Sequence, residues 1–241
     1  IVPEVLIAQL VSPEDAFRAV EAAFAAMARG EARNFPVVRE AVGEGRQYGF
    51  KSGLDRAGGM LGVKAGGYFP GNAAKGIINH QSTVFLFDPD TGRPTAMVGG
   101  GLLTALRTAA ASAISIDRLA RPDAKVLGIV GAGHQAGFQL RAAVRVRTFD
   151  RVIAWNLHPE MLPKLGAVAA ELGLPFEAVD LPGMREAEVI ITITSSPAAS
   201  LMAAHVSPGT HLACMGTDTV GKEEVEPALV AGAAVFTDEV A

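Results

Sequence analysis

Two rhythms of apolar and polar positions divide the chain, and the change falls near residue 120. In the first stretch Ala16, Phe17, Val20, Ala23, Phe24 and Met27 recur at helical spacing. Ser12 stands ahead of them as an N-cap, with Pro13 at the first helical position, Asp15 three residues after the cap and Gly30 closing the segment. Short runs of strand character follow at 36–42, 47–51, 60–65 and 82–88, separated by turns that contain glycine and aspartate. Asp88-Pro89-Asp90-Thr91-Gly92 predicts a hairpin turn leading into a strand at 95–98. Residues 101–119 are alanine-rich and helical, and Arg121-Pro122-Asp123 breaks them. This stretch predicts an antiparallel or mixed sheet with one flanking helix.

Beyond the break, strands alternate with helices. Strands are expected at 125–130, 151–156, 188–193, 211–215 and 233–237, with helices after residue 135 and over 159–172. Such alternation argues a parallel sheet wound on both faces. The expected fold is therefore α/β: a Rossmann-type, doubly wound parallel sheet over 120–241, preceded by an N-terminal α+β domain over 1–119.

The first strand of that second half runs into Gly131-Ala132-Gly133-His134-Gln135-Ala136, which matches G-x-G-x-x-G/A. The first glycine makes a tight turn, the second lets backbone approach a pyrophosphate, and the third small residue allows close packing of helix on strand. Gly131, Ala132, Gly133, His134 and Gln135 are thus expected to hold a dinucleotide on the N–H groups that open the helix. At the end of the second strand an acid favours NAD and a nearby arginine NADP. The chain has Asn156, Leu157 and His158, which are neither. Without an arginine, NAD is the expected cofactor and NADP stays open; His158 either touches a 2′-phosphate or is an exposed turn residue. Thr194, Ser195 and Ser196 follow a strand at the carboxyl edge, where ligands bind in such sheets.

Composition narrows the classes. With 241 residues, 49% of them hydrophobic, the chain is no disordered segment and has ample length for a core. A net charge of −4 offers no basic field to nucleic acid or an anionic membrane, so neither partner is expected. The single cysteine, Cys214, excludes an intrachain disulfide framework and a Cys-rich zinc site, and no metal is expected. No apolar run spans a bilayer, and the start lacks the basic and apolar sections of a signal peptide, so a soluble, cytoplasmic protein is expected. The 27 glycines stand out, because glycine weakens regular structure unless backbone must bend or approach something closely.

Two segments carry a family resemblance. Leu102-Leu103-Thr104-Ala105-Leu106-Arg107-Thr108-Ala109-Ala110 resembles the signature helix of the ornithine cyclodeaminase/mu-crystallin family, which ends in Arg-Thr-Ala-Ala. Gly216-Thr217-Asp218-Thr219-Val220-Gly221-Lys222-Glu223-Glu224 resembles that family's Gly-x-Asp-x-x-Gly-Lys-x-Glu loop, and Gly62-Val63-Lys64 and His80-Gln81-Ser82-Thr83 fall in its order and spacing. The resemblance implies a homodimer whose first domain supplies substrate pocket and subunit contact, with an NAD(P) domain behind it. It also implies chemistry at the carbon–nitrogen bond of a small α-amino or α-imino acid.

By the same resemblance Arg107 clamps the substrate carboxylate, Arg39 reaches the same group, Lys64 lies at the reacting centre and Asp218 does acid/base work. Ser82, Thr108, Met215, Gly216 and Lys222 are implied on the cofactor side, and Glu224 is expected to brace the loop. Within the family, Tyr48-Gly49-Phe50-Lys51-Ser52-Gly53 followed by Asn79-His80-Gln81-Ser82 resembles the iminosuccinate reductases of the β-hydroxyaspartate pathway. A dicarboxylic imine needs a second anion site, for which Lys51 is the candidate, helped by Ser52 or His80.

One departure counts against a diamino acid substrate. Many members carry an acid shortly before the signature helix, where this chain has Gly99-Gly100-Gly101. Family members also continue past the last Rossmann strand, so the chain is expected to be a fragment or a form without that returning segment. The expected activity is NAD(P)H-dependent reduction of an imino acid, iminosuccinate to L-aspartate. The alternatives are an ornithine cyclodeaminase with recycled NAD and a non-catalytic protein that binds NAD(P)H or a small ligand.

Overall fold

The computed structural model describes residues 1–218 and 220–238, so Thr219 of the loop motif lies outside the described residues. The chain divides into two compact units, Ile1–Arg107 and the part from Thr108 onward, and the division falls inside one helix.

The first unit opens with helices α1 (Glu4–Leu10) and α2 (Pro13–Ala28). Ser12 caps α2 as its sequence predicts: its hydroxyl accepts from the Asp15 backbone N–H at 3.1 Å, and the Asp15 carboxylate accepts from Ser12 N–H at 3.0 Å. Helix α1 was not anticipated. It buries only Ile7, too little for an apolar stripe to show in the sequence.

Six antiparallel strands follow: β1 (Ala32–Asn34), β2 (Val38–Ala41), β3 (Gln47–Asp55), β4 (Met60–Tyr68), β5 (His80–Phe87) and β6 (Pro94–Gly99). Strands β1 and β2 both pair with β3, and β4, β5 and β6 continue the sheet in order. The predicted turn between β5 and β6 is held by the Asp88 carboxylate, which accepts from the backbone N–H groups of Asp90 at 3.1 Å and Thr91 at 2.7 Å. Helix α3 (Gly101–Leu119) begins in this unit.

The second unit holds a five-stranded parallel sheet built from β7 (Val126–Val130), β8 (Arg151–Trp155), β9 (Phe176–Ala178), β10 (Val189–Thr192) and β11 (His211–Cys214). Their spatial order, β11-β10-β7-β8-β9, is the doubly wound order, with its reversal between β7 and β10. Helices α4 (Ala136–Val146), α5 (Leu162–Glu171) and α6 (Pro227–Ala231) complete the unit. Leu127, Ile129, Val152, Ile153, Ile190 and Ile191 are fully buried, the near-continuous apolar strands of a sheet covered on both sides. Ser112 of α3 donates to the buried Gln139 Oε1 of α4, tying the two helices through the core.

Two expectations change, and one strand is added. Residues 233–237 form no strand: Val235 and Phe236 are exposed, and no neighbouring strand pairs with them among the described residues. The helix predicted over 159–172 opens as a single 3-10 turn (Pro159–Met161), with Pro163 in the first turn of α5. Strand β9 was unforeseen, since three residues carry too little alternation to read.

Candidate active site

In the second unit the reversal of strand order puts the end of β7 beside the end of β10, and the glycine loop grows from that point. Gly131 has φ +108°, and a Cβ there would lie 2.7 Å from the Ile193 carbonyl oxygen. Only glycine fits. Its N–H donates to the Trp155 carbonyl at 2.9 Å, and the next N–H, of Ala132, donates to Asn156 Oδ1 at 2.9 Å. A Cβ on Gly133, by contrast, would meet nothing within 4 Å, so open space lies against the second glycine. Helix α4 then starts with no acidic residue in its first turn and no side chain capping it; the Ala136 N–H turns back to the Gly133 carbonyl at 3.1 Å, and the N–H groups of Gly137 and Phe138 point out of the helix start toward an anion. A forced turn, open space and free helix-opening donors fit a dinucleotide's pyrophosphate.

Other residues expected on this side divide. Asn156 turns inward to shape the loop, and its Nδ2 donates to the His158 carbonyl at 2.8 Å. Leu157 is 73% exposed, and His158 is exposed with Nδ1 3.6 Å from Glu160. His134 is exposed and packs its ring against Phe138, while Gln135 keeps a buried Oε1 with no partner in the described structure. Ala132 and Thr108 are buried, and Ser195 is exposed. Desolvation of the Cys214 thiol, only partly offset by its hydrogen bond with Thr192 and reinforced by the Glu224 charge, pushes it above its usual pKa, so it is a poor nucleophile.

The centre of the carboxyl edge is Glu224, only 1% exposed. Its Oε1 accepts from Thr194 N–H at 2.6 Å and from Thr194 Oγ1 at 2.9 Å. Its Oε2 accepts from Thr192 Oγ1 at 2.8 Å and from Gly216 N–H at 2.7 Å. One carboxylate therefore locks the end of β10 to the loop after β11. Gly216 has no alternative, because a Cβ there would come within 2.3 Å of the Thr194 carbonyl and 2.4 Å of Glu224 Oε1. Met215 N–H donates to the Thr192 carbonyl at 2.8 Å, and Ser196 N–H donates to Thr194 Oγ1 at 3.3 Å. Past Gly216, Asp218 is ion-paired with Lys222 at 2.8 Å on the protein surface. Glu224 is the brace expected of the loop; Thr192, its partner inside the strand, carries no local signal.

In the first unit, strand register collects the cations. Lys51 of β3 is the direct cross-strand partner of Lys64 on β4, and Arg39 of β2 is the partner of Gly49 on β3. Opposed residues share a face, as do alternate residues along a strand, so Arg39, Lys51 and Lys64 stand on one side of the sheet. Ser82 and His80 join that side further along, opposite Gly66 and Tyr68. Lys64 Nζ donates to Thr104 Oγ1 at 3.2 Å, which brings the start of α3 over this face. Arg107 follows Thr104 by three residues and so leaves α3 on the same side, exposed. Thr104 was missed as a site residue, although its place one turn before Arg107 could have signalled it. Ser82 Oγ is buried with no hydrogen-bond partner in the described structure, and Gly100 N–H donates to the Ser82 carbonyl at 2.9 Å.

The glycine triplet before α3 has a structural cause. Glu4 of α1 docks there, accepting from Gly101 N–H at 3.0 Å and Leu102 N–H at 2.6 Å. A Cβ on Gly99 would lie 2.6 Å from Glu4 Cα. Among the described residues no group of three or more His, Cys, Asp or Glu side chains could hold a metal, and no helix is long and apolar enough to cross a membrane.

A doubly wound sheet with a glycine loop at its switch point, in a chain whose other sheet gathers cations on one face, defines a dinucleotide-binding α/β protein with a second, antiparallel unit. Comparison with known proteins sharpens the class. The chain belongs to the ornithine cyclodeaminase/mu-crystallin family, whose model matches residues 2–241. It is 63% identical over 243 residues to an iminosuccinate reductase of Paracoccus denitrificans, an alignment that covers 100% of this chain and 76% of that protein. The crystal structure of the Paracoccus denitrificans iminosuccinate reductase in complex with NAD+ superimposes with a TM-score of 0.93 at 62% identity, covering 99% of this chain and 74% of that one. An archaeal alanine dehydrogenase dimer with bound NAD gives a TM-score of 0.90 at 30% identity, covering 96% and 72%.

Proposed function

We propose that this protein is an NADH-dependent imine reductase that converts iminosuccinate to L-aspartate. The observation that carries the reading is the shared face of Arg39, Lys51 and Lys64, with Arg107 leaving α3 on the same side. A dianionic, planar imino acid is the ligand such a face suits. The 63% identical relative named for this reaction supports the same choice.

In this reading Arg107 and Arg39 hold the α-carboxylate, since a guanidinium fork meets a carboxylate with two parallel hydrogen bonds. Lys64, directed by Thr104, orients the imine and polarises its nitrogen. Asp218, paired with Lys222, offsets the positive charge of a protonated imine and moves its proton. Bound NADH supplies the hydride. Gly131, Gly133 and the opening of α4 hold its pyrophosphate, and the absence of an arginine at the end of β8 favours NAD over NADP. Exposed apolar side chains on the opposite sheet face, Val38, Tyr48 and Phe50, support a homodimer built on the first unit. Reliance on the soluble nicotinamide pool is consistent with the cytoplasm.

The test is NADH oxidation with oxaloacetate plus ammonium, for parent and Arg107→Ala. Steady NADH consumption with aspartate formed, lost about 100-fold or more in the variant, is the expected result. Release of proline and ammonia from ornithine without net change in NADH, or NADH binding with no turnover on any imine, would overturn it.

A further inference from the structure

We propose that Lys51 is the residue that selects a second carboxylate on the substrate, distinguishing a dicarboxylic from a monocarboxylic imine at the same site. The inference rests on the imine-reductase reading above and adds to it the residue that sets the substrate class. Three features of the sheet carry it.

The first is register. Lys51 faces Lys64 directly across β3 and β4. Opposed side chains start about 5 Å apart, so both ammonium groups can reach one small molecule. Like charges held opposite one another repel, and an anion between them turns that repulsion into attraction.

The second is the floor on which the two lysines stand. Along β3 the same-face neighbours of Lys51 are Gly49 and Gly53, and along β4 those of Lys64 are Gly66 and Gly62. The register pairs these glycines with each other, Gly49 with Gly66 and Gly53 with Gly62. Crowding by the adjacent strands enforces them: a Cβ would come within 2.0 Å of the Val38 carbonyl at Gly49 and 2.2 Å of the Gln81 carbonyl at Gly66. Along both strands the lysine pair is thus flanked by positions that carry no side chain of their own, so neither strand sets a bulky neighbour between the two ammonium groups and an anion.

The third is the placing of the other cations. Arg39 lies opposite Gly49, diagonal to Lys51 at about 7–8 Å. His80, the other candidate for a second carboxylate, lies opposite Tyr68, four residues along β4 from Lys64 and so about 13 Å away. The two carboxyl carbons of a four-carbon dicarboxylate are linked by three bonds of about 1.5 Å each. Lys51 matches that short span from the Lys64 position more directly than His80 does.

The experiment compares parent, Lys51→Gln and Lys51→Arg. NADH oxidation is measured with oxaloacetate plus ammonium, which forms the dicarboxylic imine, and with pyruvate plus ammonium, which forms the monocarboxylic one. In Lys51→Gln the ratio of kcat/KM for the dicarboxylic over the monocarboxylic imine should fall by about 30-fold or more, chiefly through KM. Lys51→Arg, which keeps the charge, should hold the ratio within about fivefold of the parent. Equal loss on both imines in Lys51→Gln, or an unchanged ratio, overturns the proposal, as does a selective loss that appears in His80→Gln instead.

If the parent turns over neither imine, the reductase reading fails, and Lys51 is then judged by equilibrium binding. Succinate and propionate are titrated into the protein loaded with NAD+. A preference of the parent for succinate that Lys51→Gln abolishes sustains the role of Lys51; no preference in the parent overturns it.

Discussion

Replacing Glu224 by glutamine perturbs four hydrogen bonds at once, and their geometry sets the cost. The carboxylate receives two donors on each oxygen: Thr194 N–H and Oγ1 on one side, Thr192 Oγ1 and Gly216 N–H on the other. An amide of the same shape has one accepting oxygen and one NH2. A threonine hydroxyl can rotate to accept from that NH2, but a backbone N–H cannot. Whichever way the amide sits, it therefore sets a donor against either Thr194 N–H or Gly216 N–H, in a place with almost no solvent. One orphaned backbone donor costs about 1–3 kcal/mol, and the bonds that remain lose the strength a charge lent them, about 1 kcal/mol more. The expected loss is thus about 2–4 kcal/mol.

Trp155, the protein's one tryptophan, lies on β8 of the same unit and reports its unfolding by fluorescence. With a urea slope of about 1–3 kcal/mol per molar, the midpoint in Glu224→Gln should fall by about 1–2 M. Glu224→Ala, which orphans both N–H groups, should fall further. NADH affinity should drop about tenfold in the glutamine variant, because the loop after β11 and the end of β10 lose their common anchor. Glu223→Gln, at the neighbouring position, should stay within about 0.5 kcal/mol of the parent. A Glu224→Gln midpoint within about 0.3 M of the parent would refute the reasoning, since no buried donor would then depend on that carboxylate.

The two loop glycines should separate folding from binding. Gly131→Ala should cost about 2–3 kcal/mol and most NADH affinity, because its Cβ collides with the Ile193 carbonyl at positive φ; Gly133→Ala should keep parent stability in urea yet lose at least about tenfold in NADH affinity, its Cβ occupying space that only a ligand fills. His211 should make stability depend on pH: burial first, and then the Arg147 charge, hold its imidazole below the ordinary value, while Ser115 Oγ lies 3.2 Å from Nε2. The unfolded chain takes up this proton at about pH 6.5, so the stability due to the neutral ring is full above that pH and is lost as pH falls from there through the lower folded value. Urea midpoints between about pH 5 and 7 should therefore vary less in His211→Gln than in the parent.

What could be read in the sequence is what acts over short distances. The capping box at Ser12 and the Asp88 turn place donor and acceptor within a few residues, the glycine loop is set by the positive φ of Gly131 itself, and each formed as expected. The parallel sheet was legible because strands buried on both faces read as apolar runs. Register was not. Nothing local says that Lys51 meets Lys64, or that Thr192 in a buried strand answers Glu224, because both depend on how segments far apart in the chain align. The strand expected at 233–237 fails for the same reason: Val235 and Phe236 have the right composition, but a strand exists only with a partner.

Glu4 shows the same limit and bears on the substrate. The triplet Gly99-Gly100-Gly101 reads as an acid deleted from its place before the signature helix. In the fold an acid is there after all, brought from 97 residues away and bound by the first N–H groups of α3. Its charge is engaged by those two donors and by the positive end of a 19-residue helix. A carboxylate so engaged is a weaker partner for a substrate ammonium than one facing open space. On the neighbouring sheet, meanwhile, Lys51, Lys64 and Arg39 offer charge of the opposite sign. Both features fit the proposed substrate with two carboxylates better than a diamino acid, by routes that a search for a single acidic position in the chain would not reveal.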